Sequence, residues 1–292
     1  MSNTDAHTAL LDALDLRRMQ DEHAREAIRL VLNVVEELKQ DNRSLREENQ
    51  QVESQHKRDN NAISYIKNSK PGQLISLGTY PQLADGTDKT PIQWRVLQKS
   101  EDELLILSEY ILDCKRYHNK NVDTTWRDCD LRKWLNDEFY DAAFSFEEKE
   151  CIQTARCTDN GEKSPDTEDK VFLLSVVEIK AFTDAGDGSD TRIRRRTVGT
   201  DFAKVKKPDG CHLYVYDKGV DKDYVVENGQ KHGCSWWWTR TQLQIHDGSS
   251  SRATFIGARS NIKSYGQVTL AYYGVRPALK FNRICSKKGG SG

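Results

Sequence analysis

Between residues 8 and 66 the apolar positions recur at helical spacing, with no Gly or Pro and an abundance of Leu, Glu, Arg and Gln. This pattern predicts one long helix. Its second half fits a heptad, with Ile28, Val35, Asn42 and Asn49 at the first core position and Val31, Leu38, Leu45 and Val52 at the second. β-Branched residues at the first position and leucine at the second favour two parallel strands, and a buried Asn fixes register and strand number. The expectation is a homo-oligomer through residues 8–66, a dimer ahead of a trimer. Asp41 and Arg46 have the spacing for an interchain attraction, whereas Glu48 and Glu53 would repel. Leu10, Leu11, Leu14 and Leu16 precede this stretch as a short packing helix. In a competing reading the long helix folds back onto the rest of the chain. Lys70-Pro71-Gly72 ends it, since Pro cannot extend a helix and Gly favours a turn.

From residue 73 short apolar runs alternate with polar turns. Leu74–Leu77, Ile92–Leu97, Glu103–Leu107 and Val171–Leu174 read as strands. Leu131, Trp134, Leu135 and Phe139 recur at helical spacing, with Asp130 or Asp128 placed to cap. Segments 158–169 and 184–190 are polar and read as loops. The chain thus divides into a helical oligomerisation segment (1–70), a mixed α+β domain (71–284) and a flexible tail (285–292).

Composition narrows the function. A net charge of -1 excludes a general nucleic-acid binder and a polybasic membrane anchor. No run of about 18 apolar residues occurs, so no membrane span is expected. The N-terminus lacks the basic and apolar regions of a secretory signal, which points to the cytoplasm and is compatible with a phage particle released by lysis. Seven cysteines without a CxxC pair read as reduced thiols. Cys211-His212 and His232-x-Cys234 lack the paired spacing of a structural zinc site, so neither metal nor other cofactor is expected. The Asp184, Asp187 and Asp190 loop reads first as a solvated acidic loop, with a hard cation as the alternative. None of the seven histidines sits in a catalytic pattern.

The densest chemistry lies near the C-terminus. In Trp236-Trp237-Trp238, an extended backbone puts Trp236 and Trp238 on one face and Trp237 on the other. One face then belongs to a core and the other to a ligand surface. Downstream, Tyr, Ser, Gly, Asn and Arg are mixed as in a paratope, where rigid aromatic anchors sit beside small hydrogen-bonding residues. The candidate ligand-binding residues are Trp237, Trp238, Arg240, His246, Ser249, Ser251, Arg252, Arg259, Asn261, Tyr265 and Tyr272. Of these, Trp238, Arg240, Tyr265 and Tyr272 are expected to be exposed. The ordinary alternative is a polar hairpin over core aromatics.

Several motifs occur in a recognisable order: Gly78-Thr79-Tyr80-Pro81-Gln82, Pro91–Leu97, Ser108–Cys114, Trp126, Leu131–Asn136, Phe139-Tyr140 and Ala143-Phe144. Asp169–Ser175, Thr200–Ala203, Gly233–Arg240 and Gly274-Val275-Arg276-Pro277-Ala278 complete the series. Together they resemble a bacterial family of uncharacterised domains related to the C-type lectin fold, which formylglycine-generating enzymes share. The resemblance covers residues 73–282 and implies a C-type-lectin-like domain behind a coiled-coil helix, with structural roles for Trp236 and Arg276. Formylglycine-generating enzymes use two closely placed cysteines holding copper. Here Cys234 stands within Gly-Cys-Ser-Trp with no second Cys before Cys285, so the oxidase is the remotest reading. The sugar-binding tripeptides of calcium lectins are missing. Variable proteins diversified by retroelements carry their mutated positions between a Trp-rich strand and a Gly-Val-Arg-Pro-Ala-type motif, and 240–273 is the similar stretch here. The favoured expectation is a non-enzymatic module binding a protein or glycan through 237–273. The alternative is a scaffold for one fixed protein partner.

Overall fold

The computed structural model describes residues 21–183, 195–219, 223–242 and 252–285, with backbone only over 53–60. The expected packing helix at Leu10–Leu16 and the Asp184–Asp190 loop lie outside the described residues. The chain separates into two compact units, residues 1–61 and Ala62–Gly292. Helix α1 (Glu22–Asn68) begins where Asp21 Oδ1 accepts the backbone N–H of His23 and Ala24 at 3.0 and 3.2 Å, an N-cap in place of missing intrahelical bonds. Val31, Leu38, Leu45 and Val52 are 61%, 54%, 56% and 49% exposed, a heptad stripe left open on the single chain. Asn42 donates to the Leu38 carbonyl of its own helix at 2.8 Å. No helix among the described residues is long and apolar enough to cross a membrane.

The second unit is a mixed α+β body. The last turn of α1 contributes Ile66, which is buried, and Ile63, packed against the core. One sheet has the order β1 (Leu74–Tyr80), β2 (Thr90–Lys99), β3 (Glu103–Ser108), β13 (Ala278–Asn282), all antiparallel. In β2 the alternation of Ile92, Trp94 and Val96 with Gln93 and Arg95 turns three apolar side chains inward. Trp94 donates its indole N–H to the Leu77 carbonyl at 2.7 Å. Beside it the β1–β2 register shifts at Gly78, whose φ of +66° would strain any other residue. A Cβ there would lie 2.6 Å from the Ala143 carbonyl oxygen, so the Gly-Thr-Tyr-Pro motif is a close-approach site.

The other large sheet runs β11 (Ile262–Gln267), β10 (Arg252–Ile256), β9 (Trp237–Trp238), β12 (Gly274–Val275), β4 (Asp113–Cys114). Its one parallel pairing sets Gly274 opposite Trp237. A Cβ on Gly274 would approach Ile111 Cγ2 to 2.3 Å, which explains a glycine at the head of Gly-Val-Arg-Pro-Ala. The two short hairpins β5 (Ala155–Cys157)–β6 (Thr167–Asp169) and β7 (Tyr224–Glu227)–β8 (Gln230–Gly233) lie outside these sheets.

The helical layer departs from the sequence expectation in detail. Helix α2 (Asp130–Trp134) is capped by Cys129, whose sulfur accepts the Arg132 N–H at 3.4 Å, and neither Asp130 nor Asp128 is the cap. Helical spacing continues through a π-helical turn, Leu135–Phe139, into α3 (Tyr140–Ala143). Helix α4 (Phe146–Cys151) starts with a capping box between Ser145 and Glu148. Glu148 also accepts the Gly78 N–H at 2.8 Å, so it is more than a solvated helix-start charge. Val171–Leu174 is buried but is not a strand; only Phe172 bridges, to Ala278. Segment 158–169, read as a loop, ends in β6. Helices α5 (Val176–Thr183) and α6 (Asp201–Lys204) complete the layer.

The cysteines correct the reading of uniformly reduced thiols. Cys151 and Cys285 form a disulfide across 134 positions, a separation at which sequence cannot reveal adjacency. Cys285, assigned to the tail, is therefore bonded into the body, and residues 286–292 lie outside the described residues. Arg283 Nε reinforces this corner by donating to the Lys67 carbonyl at 2.9 Å. Cys114, Cys129, Cys157, Cys211 and Cys234 are free and buried. Cys285→Ser should lower the unfolding free energy by about 2–4 kcal/mol. Urea denaturation with and without reductant checks this, with reduction mimicking the substitution in the parent chain.

Candidate functional site

Strand β9 carries two of the three tryptophans into the interior. Trp237 and Trp238 are 1% and 0% exposed. Trp238 stacks on Tyr273 at 4.0 Å and meets Tyr117 edge-on at 5.5 Å, while Trp237 lies beneath the Arg276 guanidinium at 5.2 Å. Each indole N–H finds a carbonyl, Arg195 for Trp237 at 3.1 Å and Lys115 for Trp238 at 2.9 Å. The alternation is present, since Trp236 shares the Tyr273 side with Trp238. However, both faces of β9 are covered, by Arg276 over Trp237 and by Tyr273 and Tyr117 against Trp238. Trp238, expected to be exposed, is instead a core residue, and Trp237 is buried with it.

Arg240 is likewise corrected. It is 1% exposed and engages Glu178 at 2.5 and 2.9 Å, Asn160 Oδ1 at 2.9 Å and the Thr158 and Leu173 carbonyls. Burial opposes its charge, but the hydrogen bond and charge of Glu178 hold the guanidinium above its ordinary value. A buried, fully bonded Arg is a framework residue, because removing either partner strands a charge.

What reaches the surface is a different group of rings. Tyr214, Tyr265 and Tyr272 are 43%, 52% and 40% exposed. Half-buried Trp236 stacks with Tyr214 at 4.8 Å and 20°, and Tyr216 meets it edge-on at 5.9 Å. The Trp236 N–H donates to the Tyr216 hydroxyl at 3.3 Å. The Tyr214 N–H donates to the Tyr272 carbonyl at 3.1 Å, which brings segment 212–216 alongside 271–273. His212 packs on Tyr272 at 5.1 Å. Buried Phe255 supports the group from below, touching Trp236, Tyr265 and Tyr273. Tyr214 and Tyr216 are absent from the sequence-derived candidates. Their signal is the alternation Leu213-Tyr214-Val215-Tyr216, with Leu213 buried.

The remaining candidates divide. Arg259 is exposed and its Nε contacts Asp223 at 3.0 Å; Asn261 is exposed and Arg252 half-buried. His246, Ser249 and Ser251 lie outside the described residues. No group of three metal-ligating side chains occurs among the described residues. Burial pushes the Cys234 thiol up to about 11, which disfavours its thiolate form. Cys211 is drawn down to about 7, first by a hydrogen bond from Cys114, and Arg116 Nη1 lies 3.5 Å from its sulfur.

The family described as Domain of unknown function (DUF6273) matches residues 101–282. No curated protein and no solved structure matches the chain.

Trp238→Ala should destabilise the domain by about 3–5 kcal/mol, whereas Tyr214→Ala and Tyr265→Ala should each stay within about 1 kcal/mol of the parent. Chemical denaturation of the three variants tests whether the assignment of core and surface aromatics is correct.

Proposed function

The chain belongs to the DUF6273 family, and we propose that it is a non-enzymatic binding module that captures a protein or glycan ligand on the aromatic platform around Trp236. The observation that carries this reading is the exposure of Tyr214, Tyr265 and Tyr272 above a packed aromatic foundation. Tyr and Trp present large amphipathic area with little rotamer freedom to lose, the property that makes them binding anchors. Arg259 and Asn261 supply polar, adaptable groups from the same stretch of chain. The resemblance to C-type-lectin-like variable proteins adds that 240–273 is a diversified segment. In that case variation concentrates at surface positions such as Asn261, Tyr265 and Tyr272, because Arg240 and Phe255 are framework.

The open stripe Val31, Leu38, Leu45, Val52 supports a homo-oligomer, with Asn42 and Asn49 favouring a parallel dimer over a trimer. Linking copies raises weak site affinities through effective concentration. The same stripe favours the second reading, a scaffold whose helix meets one fixed protein partner.

Probing a glycan array and a displayed peptide library with the full-length chain tests the platform. Capture should fall at least tenfold in the Tyr214→Ala/Tyr272→Ala double variant while its melting temperature stays near the parent's. Unchanged capture would move the binding surface elsewhere. Leu38→Asp with Leu45→Asp should convert the oligomer to a monomer by light scattering. A parent chain that is already monomeric would remove the coiled coil. Sequencing codons 230–285 in sibling strains should show substitutions concentrated between 240 and 273, and an invariant segment would end the diversified reading.

A further inference from the structure

Two of the five free cysteines meet each other. Cys114, the last residue of β4, hydrogen-bonds through its thiol to the Cys211 sulfur, and both residues are buried. The backbone fixes this meeting. Cys114 is paired with Gly274 across β4 and β12, and its sulfur lies 3.4 Å from the Ala271 carbonyl oxygen. The same carbonyl accepts the N–H of His212, the residue after Cys211, at 2.9 Å. Segment 271–274 therefore docks both thiols from distant parts of the chain.

Their surroundings make the two sulfurs unequal. Arg116 Nη1 lies 3.5 Å from the Cys211 sulfur. That guanidinium is held in place by the Thr269 and Asp209 carbonyls at 3.1 and 2.9 Å. The Asp209 carboxylate works against it, standing 3.9 Å from Arg116 and accepting the Cys211 N–H at 2.9 Å. The hydrogen bond from Cys114, with the Arg116 charge, still draws Cys211 down, whereas the same contact and burial push Cys114 up. Cys211 is thus the thiolate and Cys114 the neutral thiol beside it. A nucleophilic sulfur next to a second cysteine is the arrangement that two-step thiol oxidation requires.

Access selects the oxidant. Cys211 is covered by the turn that precedes it, in which Val205, Lys206, Pro208 and Asp209 are exposed. A bulky disulfide reagent has no route to a sulfur without exposed surface. Hydrogen peroxide is barely larger than water, and local opening of a polar surface turn admits it. We propose that Cys114 and Cys211 are a peroxide-sensitive dithiol that closes reversibly to a disulfide.

In the first step the Cys211 thiolate attacks one peroxide oxygen and the O–O bond breaks. Cys211 becomes a sulfenic acid, and the departing hydroxide takes a proton and leaves as water. In the second the Cys114 sulfur attacks Cys211, the S–S bond forms, and the sulfenic hydroxyl leaves as water with the Cys114 proton. Two thiols lose two electrons and one peroxide becomes two waters. A disulfide is shorter than any hydrogen bond between thiols, so closure draws the 207–211 turn toward β4. The pair stands whether or not the aromatic platform takes a ligand.

The test exposes the full-length chain to graded hydrogen peroxide, blocks free thiols by alkylation and reads the digested peptides by mass spectrometry. Cys114 and Cys211 should be recovered as one linked species that dithiothreitol returns to thiols. Doses that give it should modify Cys129, Cys157 and Cys234 at least about tenfold less. In Cys114→Ser the sulfenic acid should persist on Cys211 and be captured by dimedone, whereas in Cys211→Ser dimedone should leave Cys114 unlabelled. Two thiols that are merely buried together would show no such asymmetry. Failure to link Cys114 with Cys211 in the parent chain overturns the proposal, and that arm needs no variant to fold. So does equal oxidation of all five thiols, or capture on Cys114 in place of Cys211.

Discussion

The rest of the body depends on burying Trp237 and Trp238 together in one short strand. An indole needs apolar cover and a partner for its N–H, and two adjacent ones in an extended chain demand both on opposite faces. The protein meets that demand with Arg276 and the Arg195 carbonyl on one side, and with Tyr273, Tyr117 and the Lys115 carbonyl on the other. These partners come from distant parts of the chain. Placing them fixes how β4, β12 and the segments around residues 115 and 195 lie against β9.

Buried charge completes the frame. Arg276 donates to the Ser108 carbonyl at 2.8 Å, and burial draws its guanidinium down to about 10 against the opposing pull of Glu109. Glu109 is itself held by Arg95, and Arg240 by Glu178. Such groups are costly to desolvate and worse to leave unpaired, so they specify one arrangement more than they add stability. Both arginines belong to motifs that carry the family resemblance, and both act inside the fold.

Against this rigid interior the surface has a simple logic. Trp236 is the one member of the tryptophan run that reaches solvent, with Tyr214 stacked on it, Tyr265 resting on Phe255 and Tyr272 on His212. Anchors fixed in this way lose little entropy on binding.

Much of this was legible in the sequence. The long helix followed from helical periodicity without Gly or Pro, and β1, β2 and β3 from short apolar runs between polar turns, because those signals are local to each segment. The exposure of Tyr265 and Tyr272 was also readable from a polar, Tyr-rich stretch. Other outcomes rested on partners that no local pattern contains. Trp238 is buried because Tyr273 and Tyr117 cover it and Arg240 because Glu178 lies opposite, Cys151 meets Cys285 across 134 positions, and Cys129 takes the cap from its acidic neighbours. Tyr214 and Tyr216 joined the platform only when their segment was laid beside residues 271–273. The sequence determined which side chains have a polar and an apolar side to satisfy. Tertiary structure alone decided which side faces water, since that depends on what distant segment covers the strand.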